Sequence, residues 1–328
     1  MRSPVVIHEK FCGLSSECCA AYARSLNCRF LYITYLTNLK IIFDRSAFHG
    51  ANFDLLQQSQ LLRLSKTYAI SIYHTPVFLE ETISLYLLEK NRGELERQLT
   101  FIFEICNGRW FRRRSDLWIK ELVEEQDLKA RSLMPNSERH EIEQNILHYL
   151  LDKNLDAKDL EKVQVEKHVQ KLKSIDNRRI FVEIRDRFAS EYSIDKKQGL
   201  NEKEFTEWFV KEHLLILGES LIHRYLETDV NKDKIFLKWK KNPNRYPYFT
   251  NYCKGTAYSL VFPVIYPNKK IDTNALIDVD HLCHLHSMDL IVSNDNGFMN
   301  NAFDYIYQNS GKSYYSTIKF VEFLNENF

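Results

Sequence analysis

The sequence predicts an α/β protein, three-layered (α/β/α) around a mainly parallel sheet and interrupted by a helical insertion. Three observations carry this expectation. Short apolar runs of strand length occur at Lys40–Phe43, Ala69–Tyr73 and Leu290–Val292, each bounded by turn or cap residues. Stretches of helical period separate them, as parallel strands require, because the chain must cross the sheet between one strand and the next. The chain also has only 9 Gly and 7 Pro in 328 residues, and its middle is rich in Lys, Glu, Leu and Ile, a composition that favours helix. The expected division is an N-terminal arm (1–37), the first half of the α/β domain (38–96), the helical insertion (97–254) and the second half (255–328).

Composition narrows the class further. With 44% hydrophobic residues the chain can fill the cores of two domains. No stretch approaches the roughly 20 apolar residues of a membrane span. A formal charge of +1 leaves any nucleic-acid contact to local patches. Seven cysteines, an odd number, without a signal-peptide pattern favour reduced thiols and a cytoplasmic setting.

Residues 1–37 carry Cys12, Cys18, Cys19 and Cys28 without periodicity. Their spacing lacks the paired C-x-x-C units of a zinc site, and His8 is the only nearby histidine, so the segment reads as an arm outside the packed domain. Lys40–Phe43 is then a buried strand ending in Asp44, with Ser46 two residues on. Phe53, Leu56, Leu61 and Leu64 give residues 51–67 one apolar helical face. After the strand Ala69–Tyr73, Thr75 is placed to cap a helix that starts at Pro76, puts Glu80 and Glu81 in its early turns and runs through Ile83, Leu87 and Leu88. Gly93 breaks it before a second run from Leu95.

Residues 101–114 set Arg109, Arg112, Arg113 and Arg114 beside Trp110 and Phe111, a mixture suited to phosphates and stacked bases. Asp116, Glu121, Glu124 and Glu125 follow closely, so the same arginines equally suit intrahelical ion pairs. From Glu138 to Tyr225 the pattern is that of a charged helical bundle, with Ile142, Ile146, Tyr149 and Leu150 on one face. Asp229, Asn231 and Asp233 imitate the start of a calcium loop, but Lys234 and Lys240 stand where glycine and the bidentate glutamate belong, so a turn is expected. Lys238, Lys240 and Lys241 form a second basic segment, read either as a phosphate guide or as an exposed loop. The chain is then expected to return to the sheet through Tyr252–Val264.

The stretch from Asp278 to Phe298 is the most informative. Asp278 opens a helix in which Leu282, Leu285 and Met288 recur at helical spacing, and Leu290–Val292 is a buried strand followed by Ser293, Asn294 and Asp295. An acid just past the end of a parallel strand occupies the crevice where open α/β sheets bind ligands. His281, Cys283, His284 and His286 look like zinc ligands, but on a helix they point in several directions, and packing with supporting hydrogen bonds is the expectation. Phe298, Ala302, Phe303, Ile306 and Tyr307 outline a further amphipathic helix, and Thr317–Phe320 a last strand.

The ordered set IIFDRSAF, TPVFLEE, Asp278 and Ser293-Asn294-Asp295 resembles the PIN-like nucleases over about residues 38–92 and 270–310. The chain departs from their pattern at Arg45 and Ser46, at Gly297, and in the long insertion. The resemblance implies an endonuclease that hydrolyses phosphodiester bonds by two-metal chemistry, with Mg²⁺ or Mn²⁺ as cofactor and single-stranded RNA as the expected substrate, DNA second. Asp44, Glu81, Asp278 and Asp295 would be its catalytic and metal-binding acids, with Asp280 a substitute for Asp278. Ser46, Ser293 and Asn294 would orient ligands or a phosphate, and the two basic segments would hold nucleic acid; a homodimer is left open. Two other classes compete: a PIN-like binding module with a decayed site, and a phosphatase-like hydrolase, which would want a second acid two residues after Asp44, where Ser46 stands.

Overall fold

The computed structural model describes residues 39–67, 69–79, 81–82, 92–125, 128, 132–135, 178–180, 182–184, 186–187, 190, 200–226, 229–269 and 274–328. The arm at 1–37 and the bundle positions Ile142, Ile146, Tyr149 and Leu150 lie outside these residues. Four strands form one all-parallel sheet in the order β2-β1-β3-β4: β1 (Leu39–Phe43), β2 (Ile70–Tyr73), β3 (Leu290–Val292) and β4 (Ser313–Tyr315). Strands far apart in the sequence are neighbours, with Ile42 paired to Ile291.

Side-chain alternation along β1 explains the layering. Ile41 and Phe43 enter a hydrophobic cluster with Leu290 and Val292, while Ile42 enters a different one with Ile291. Successive side chains leave a strand on opposite faces, so each cluster covers one face of the sheet. The first is closed by helices Ala51–Gln58, Leu61–Lys66, Arg92–Cys106 and Thr317–Asn327. The second is closed by helices Glu202–Tyr225, Lys232–Lys241, Pro247–Ile265, Ala275–His284 and Phe298–Tyr307. Helix Glu202–Tyr225 packs on helix Pro247–Ile265, and helix Lys232–Lys241 on Glu202–Tyr225. Among the described residues no helix is long and apolar enough to cross a membrane.

Local chemistry accounts for most element ends. The face expected over 51–67 is buried at Phe53, Leu56, Leu61 and Leu64, but the helix breaks in two at Ser59. Its Oγ donates to Leu56 O at 2.7 Å and accepts from Leu61 N at 3.2 Å, ending one helix and starting the next. Helix Glu202–Tyr225 opens with a reciprocal Asn201/Glu204 capping box. The false calcium loop is a helix cap: Asn231 accepts from Lys234 N at 2.9 Å.

Two expected strands are helices. Tyr252–Val264 lies inside helix Pro247–Ile265, whose β-branched and aromatic residues are buried on nearly all sides; an all-round apolar helix is what the middle of a core selects. Thr317–Phe320 starts helix Thr317–Asn327, capped by Ser316, and the true edge strand β4 lies just before it. Phe320 and Leu324, four apart, are fully buried, whereas Ile318 is 56% exposed. The burial follows helical period, and β-propensity at four residues is too small an energy to oppose it.

Helix Pro247–Ile265 takes its cap from a distant segment. The Glu121 carboxylate, on the π-helical turn Ile119–Val123, accepts from Tyr248 N at 3.1 Å and Phe249 N at 2.9 Å. Burial pushes its pKa up to about 8, although these two amide donors pull the other way. Because the folded-state pKa lies above the unfolded one, the contribution of Glu121 is fully present below about pH 4.5 and is lost as pH rises towards 8. Glu121→Gln, which keeps an acceptor and cannot ionise, should match the wild type near pH 5. It should gain on it progressively to pH 8, by a few kcal/mol. A stability difference that does not change between pH 5 and 8 in urea titrations would exclude ionisation of Glu121 as its cause.

Candidate metal centre

Each strand of the sheet delivers polar groups at its C-terminal end. Asp44 follows β1 and continues its ladder through Asp44 N to Val292 O at 3.0 Å. Its Oδ2 accepts from Ser46 N at 3.2 Å, from the Ser46 hydroxyl and from the Ser293 hydroxyl at 2.8 Å. Each of these hydroxyls in turn accepts a backbone N–H: Asn294 N on Ser46 Oγ at 2.8 Å and Asp295 N on Ser293 Oγ at 3.1 Å. Asn294 reaches further, donating from Nδ2 to Ser46 O at 3.2 Å and to Thr317 Oγ1 at 2.8 Å and accepting from Thr317 N. Ser46, Ser293 and Asn294 thus knit the ends of β1 and β3 to the start of the last helix. With Oδ2 held by three donors, Asp44 presents Oδ1 to the crevice.

Glu81 and His281 face that oxygen. Thr75 caps the helix after β2, its Oγ1 accepting from Phe78 N at 3.2 Å, which sets Glu81 in the second turn. His281 sits in helix Ala275–His284, one turn after Asp278 and fully buried. Its Nε2 lies 3.2 Å from Glu81 Oε2 and 3.9 Å from Asp44 Oδ1, and its Nδ1 lies 3.1 Å from Thr75 Oγ1. Ligand atoms of Asp44, Glu81 and His281 all fall within 4.8 Å of one another. Burial lowers the imidazole pKa, but the bond to Glu81 and the charges of Glu81, Asp44 and Asp280 outweigh it, and the net shift is upward.

The other two expected acids are not part of this three-residue group. Asp295 is half-buried, its Oδ1 accepting from Gly297 N and its carbonyl from the Tyr314 hydroxyl at 2.6 Å. Asp278 is buried in helix Ala275–His284. Burial drives the Tyr314 phenol well above its usual range, and the charges of Asp295, Asp44 and Asp278 add to the shift. Asp280, expected as a substitute for Asp278, is turned elsewhere: Arg114 binds its Oδ2 at 2.8 Å, and His284 Nδ1 stands 3.5 Å from its Oδ1. Two residues along a helix is about 200° of rotation, so Asp278 and Asp280 could not both face the crevice.

The basic segments separate in the same way. Helix Arg92–Cys106 ends in left-handed Asn107 and Gly108, and residues 109–112 then run extended beside β2, with His74 N donating to Arg109 O and Phe111 N to His74 O. This brings Arg112–Arg114 to the tip of the sheet. Arg109 donates to Cys106 O, and Arg112 O faces His284 Nε2. Arg114 is committed to Asp280 and stacks over Tyr252 and Trp118. Arg113 is exposed, and with Arg114, Ser115, Pro76 and Val77 it lines a cavity of about 170 Å³ against Asp280 and His284. In the other segment Lys238 pairs with Glu125, which also binds Arg245, while Lys240 and Lys241 are exposed on the same helix, which packs on Glu202–Tyr225.

His281 is the residue that sequence reasoning placed in a supporting role and the structure places among the acids. The available signal was its spacing: three residues after Asp278 puts both on one helix face. Comparison of the chain with protein-family models, with curated proteins and with solved structures finds no match.

Proposed function

We propose that this chain is a PIN-like, divalent-metal-dependent endonuclease that hydrolyses phosphodiester bonds, with single-stranded RNA as substrate. The observation that carries the reading is the convergence of Asp44, Glu81 and His281, from three separate segments, at the C-terminal end of a parallel sheet. Several carboxylates held this close repel one another unless a cation answers them, and hard oxygen donors suit Mg²⁺ or Mn²⁺. Asp44 and Glu81 would hold the ion, with Asp295 and Asp278 as further acids at the rim. Bound there, the metal would supply a nucleophilic water and charge stabilisation for the leaving oxygen. The chain's own share is orientation: Ser46 and Ser293 fix the Asp44 rotamer, and Asn294 fixes the turn that carries Asp295. Arg113, exposed beside the cavity that Asp280 and His284 line, would meet a substrate phosphate.

End-labelled single-stranded RNA and DNA incubated with the purified chain and Mg²⁺, Mn²⁺ or EDTA provide the test. Metal-dependent cleavage, stronger on RNA, is expected, and Asp295→Asn should lower it at least about tenfold with the fold intact. Tight RNA binding with no cleavage under any metal would favour the decayed binding module instead.

A further inference from the structure

We propose that His281 is itself a metal ligand through Nε2, so that the centre is a two-carboxylate, one-imidazole set that prefers Mn²⁺ and the later first-row transition ions to Mg²⁺. This rests on the metal-centre part of the reading above and goes beyond it in naming the ligand and the class of ion. The distances fit one ion. Donors about 2.1 Å from an octahedral cation lie about 3 Å apart at adjacent positions and about 4.2 Å apart at opposite ones. Nε2 stands 3.2 Å from Glu81 Oε2 and 3.9 Å from Asp44 Oδ1.

The surroundings of the ring prepare it for that role. A ligating imidazole needs a lone pair on the inner nitrogen and its proton on the outer one, and the outer N–H then needs an acceptor. Thr75 Oγ1 lies 3.1 Å from Nδ1. Its hydroxyl has two acceptor positions, one taken by Phe78 N–H, and the second is open to Nδ1–H. The same threonine that starts the Glu81 helix therefore orients both the carboxylate and the imidazole. His281 is fully buried and cannot swing out to water, and Asp44 Oδ2 is saturated, so Oδ1 and Nε2 can only face each other across the crevice.

The donor set then decides between ions. Mg²⁺ favours oxygen donors and dehydrates reluctantly, whereas first-row transition ions accept an imidazole nitrogen more readily, with affinity rising from Mn²⁺ towards Cu²⁺. The competing role for His281 is that of a counter-charge, an imidazolium that neutralises Glu81 and Asp44 and must leave when an ion arrives. The two roles make opposite predictions for its removal.

The test measures metal binding, separately from cleavage. Titration of the wild-type chain with Mn²⁺ and with Mg²⁺ should show Mn²⁺ bound at least about tenfold more tightly, and His281→Gln should cut Mn²⁺ affinity at least about tenfold while changing Mg²⁺ affinity little. Pulsed paramagnetic resonance of Mn²⁺ on the wild type should show ¹⁴N coupling from a directly bound ring nitrogen, a readout that needs no variant. Absence of that coupling, or a His281→Gln protein that binds Mn²⁺ as well as or better than the wild type, would overturn the assignment. A chain that binds Mn²⁺ with the ¹⁴N signature yet cuts neither RNA nor DNA keeps the ligand assignment and removes the nuclease reading.

Discussion

Asp44→Asn is expected to lower metal-dependent cleavage on the order of a thousandfold, about 4 kcal/mol of transition-state stabilisation, while leaving the protein folded. The two halves of the expectation have separate causes. Asp44 Oδ2 takes its donors from Ser46 and Ser293, and the asparagine oxygen can accept the same bonds, so the strand end and the turn at Asp295 keep their anchor. What disappears is the negative oxygen facing Glu81 and His281, replaced by an NH₂ group that cannot bind a cation. In the wild type, Mn²⁺ at saturating concentration should raise the melting temperature, because an ion that binds only the folded state stabilises it by mass action. In Asp44→Asn that increment should vanish. Full cleavage by a folded Asp44→Asn protein would mean the chemistry lies elsewhere and the strand-end acids are structural.

A large loss of stability is expected from a single added methyl group, Gly218→Ala. A Cβ on Gly218 would lie 2.2 Å from both Cη2 and Cζ3 of Trp239, well inside the roughly 3.5–4.0 Å of a comfortable carbon contact. The indole cannot yield cheaply. Trp239 is fully buried, donates from Nε1 to Thr250 Oγ1 at 2.9 Å and packs edge-on against Phe249 at 5.2 Å. Helices Glu202–Tyr225 and Lys232–Lys241 would have to move apart, a kind of overpacking that costs about 1–3 kcal/mol and occasionally more. Alanine is otherwise the better helix former by about 1 kcal/mol, so the sign of the effect is diagnostic. Gly93→Ala is the control, at an exposed helical position whose Cβ would meet nothing within 4 Å, and it should be neutral or stabilising. A Gly218→Ala protein as stable as the wild type in urea would show that the two helices are not held at this distance.

Much of the sheet and part of the site could be read from the residues alone, because the signals involved are local. Apolar runs of strand length, bounded by residues that favour turns and caps, are sufficient for β1, β2 and β3. Thr75 before Pro76 is sufficient for the helix that carries Glu81, and the spacing of Phe298, Ala302, Phe303 and Tyr307 for the helix after Asp295. Asp44 and Asp295 stand at strand ends in any register that buries Ile41–Phe43 and Leu290–Val292.

The tertiary structure decided the rest, and in each case the deciding partner is far along the chain. Tyr252–Val264 has the residue types of a strand and becomes a helix because core surrounds it on nearly every side and Glu121 caps its helix from more than 120 residues away. Asp278 and Asp280 differ little in sequence, yet Arg114 claims Asp280 alone. His281 meets Asp44 and Glu81 only because β2, β1 and β3 lie side by side and bring the segments that follow β1 and β2 together with helix Ala275–His284. Local pattern determines which segments become strands and helices, since it depends on period and caps within a few residues. Which polar groups share a buried space depends on how those elements pack, because a buried charge is stable only where some distant residue supplies its partner.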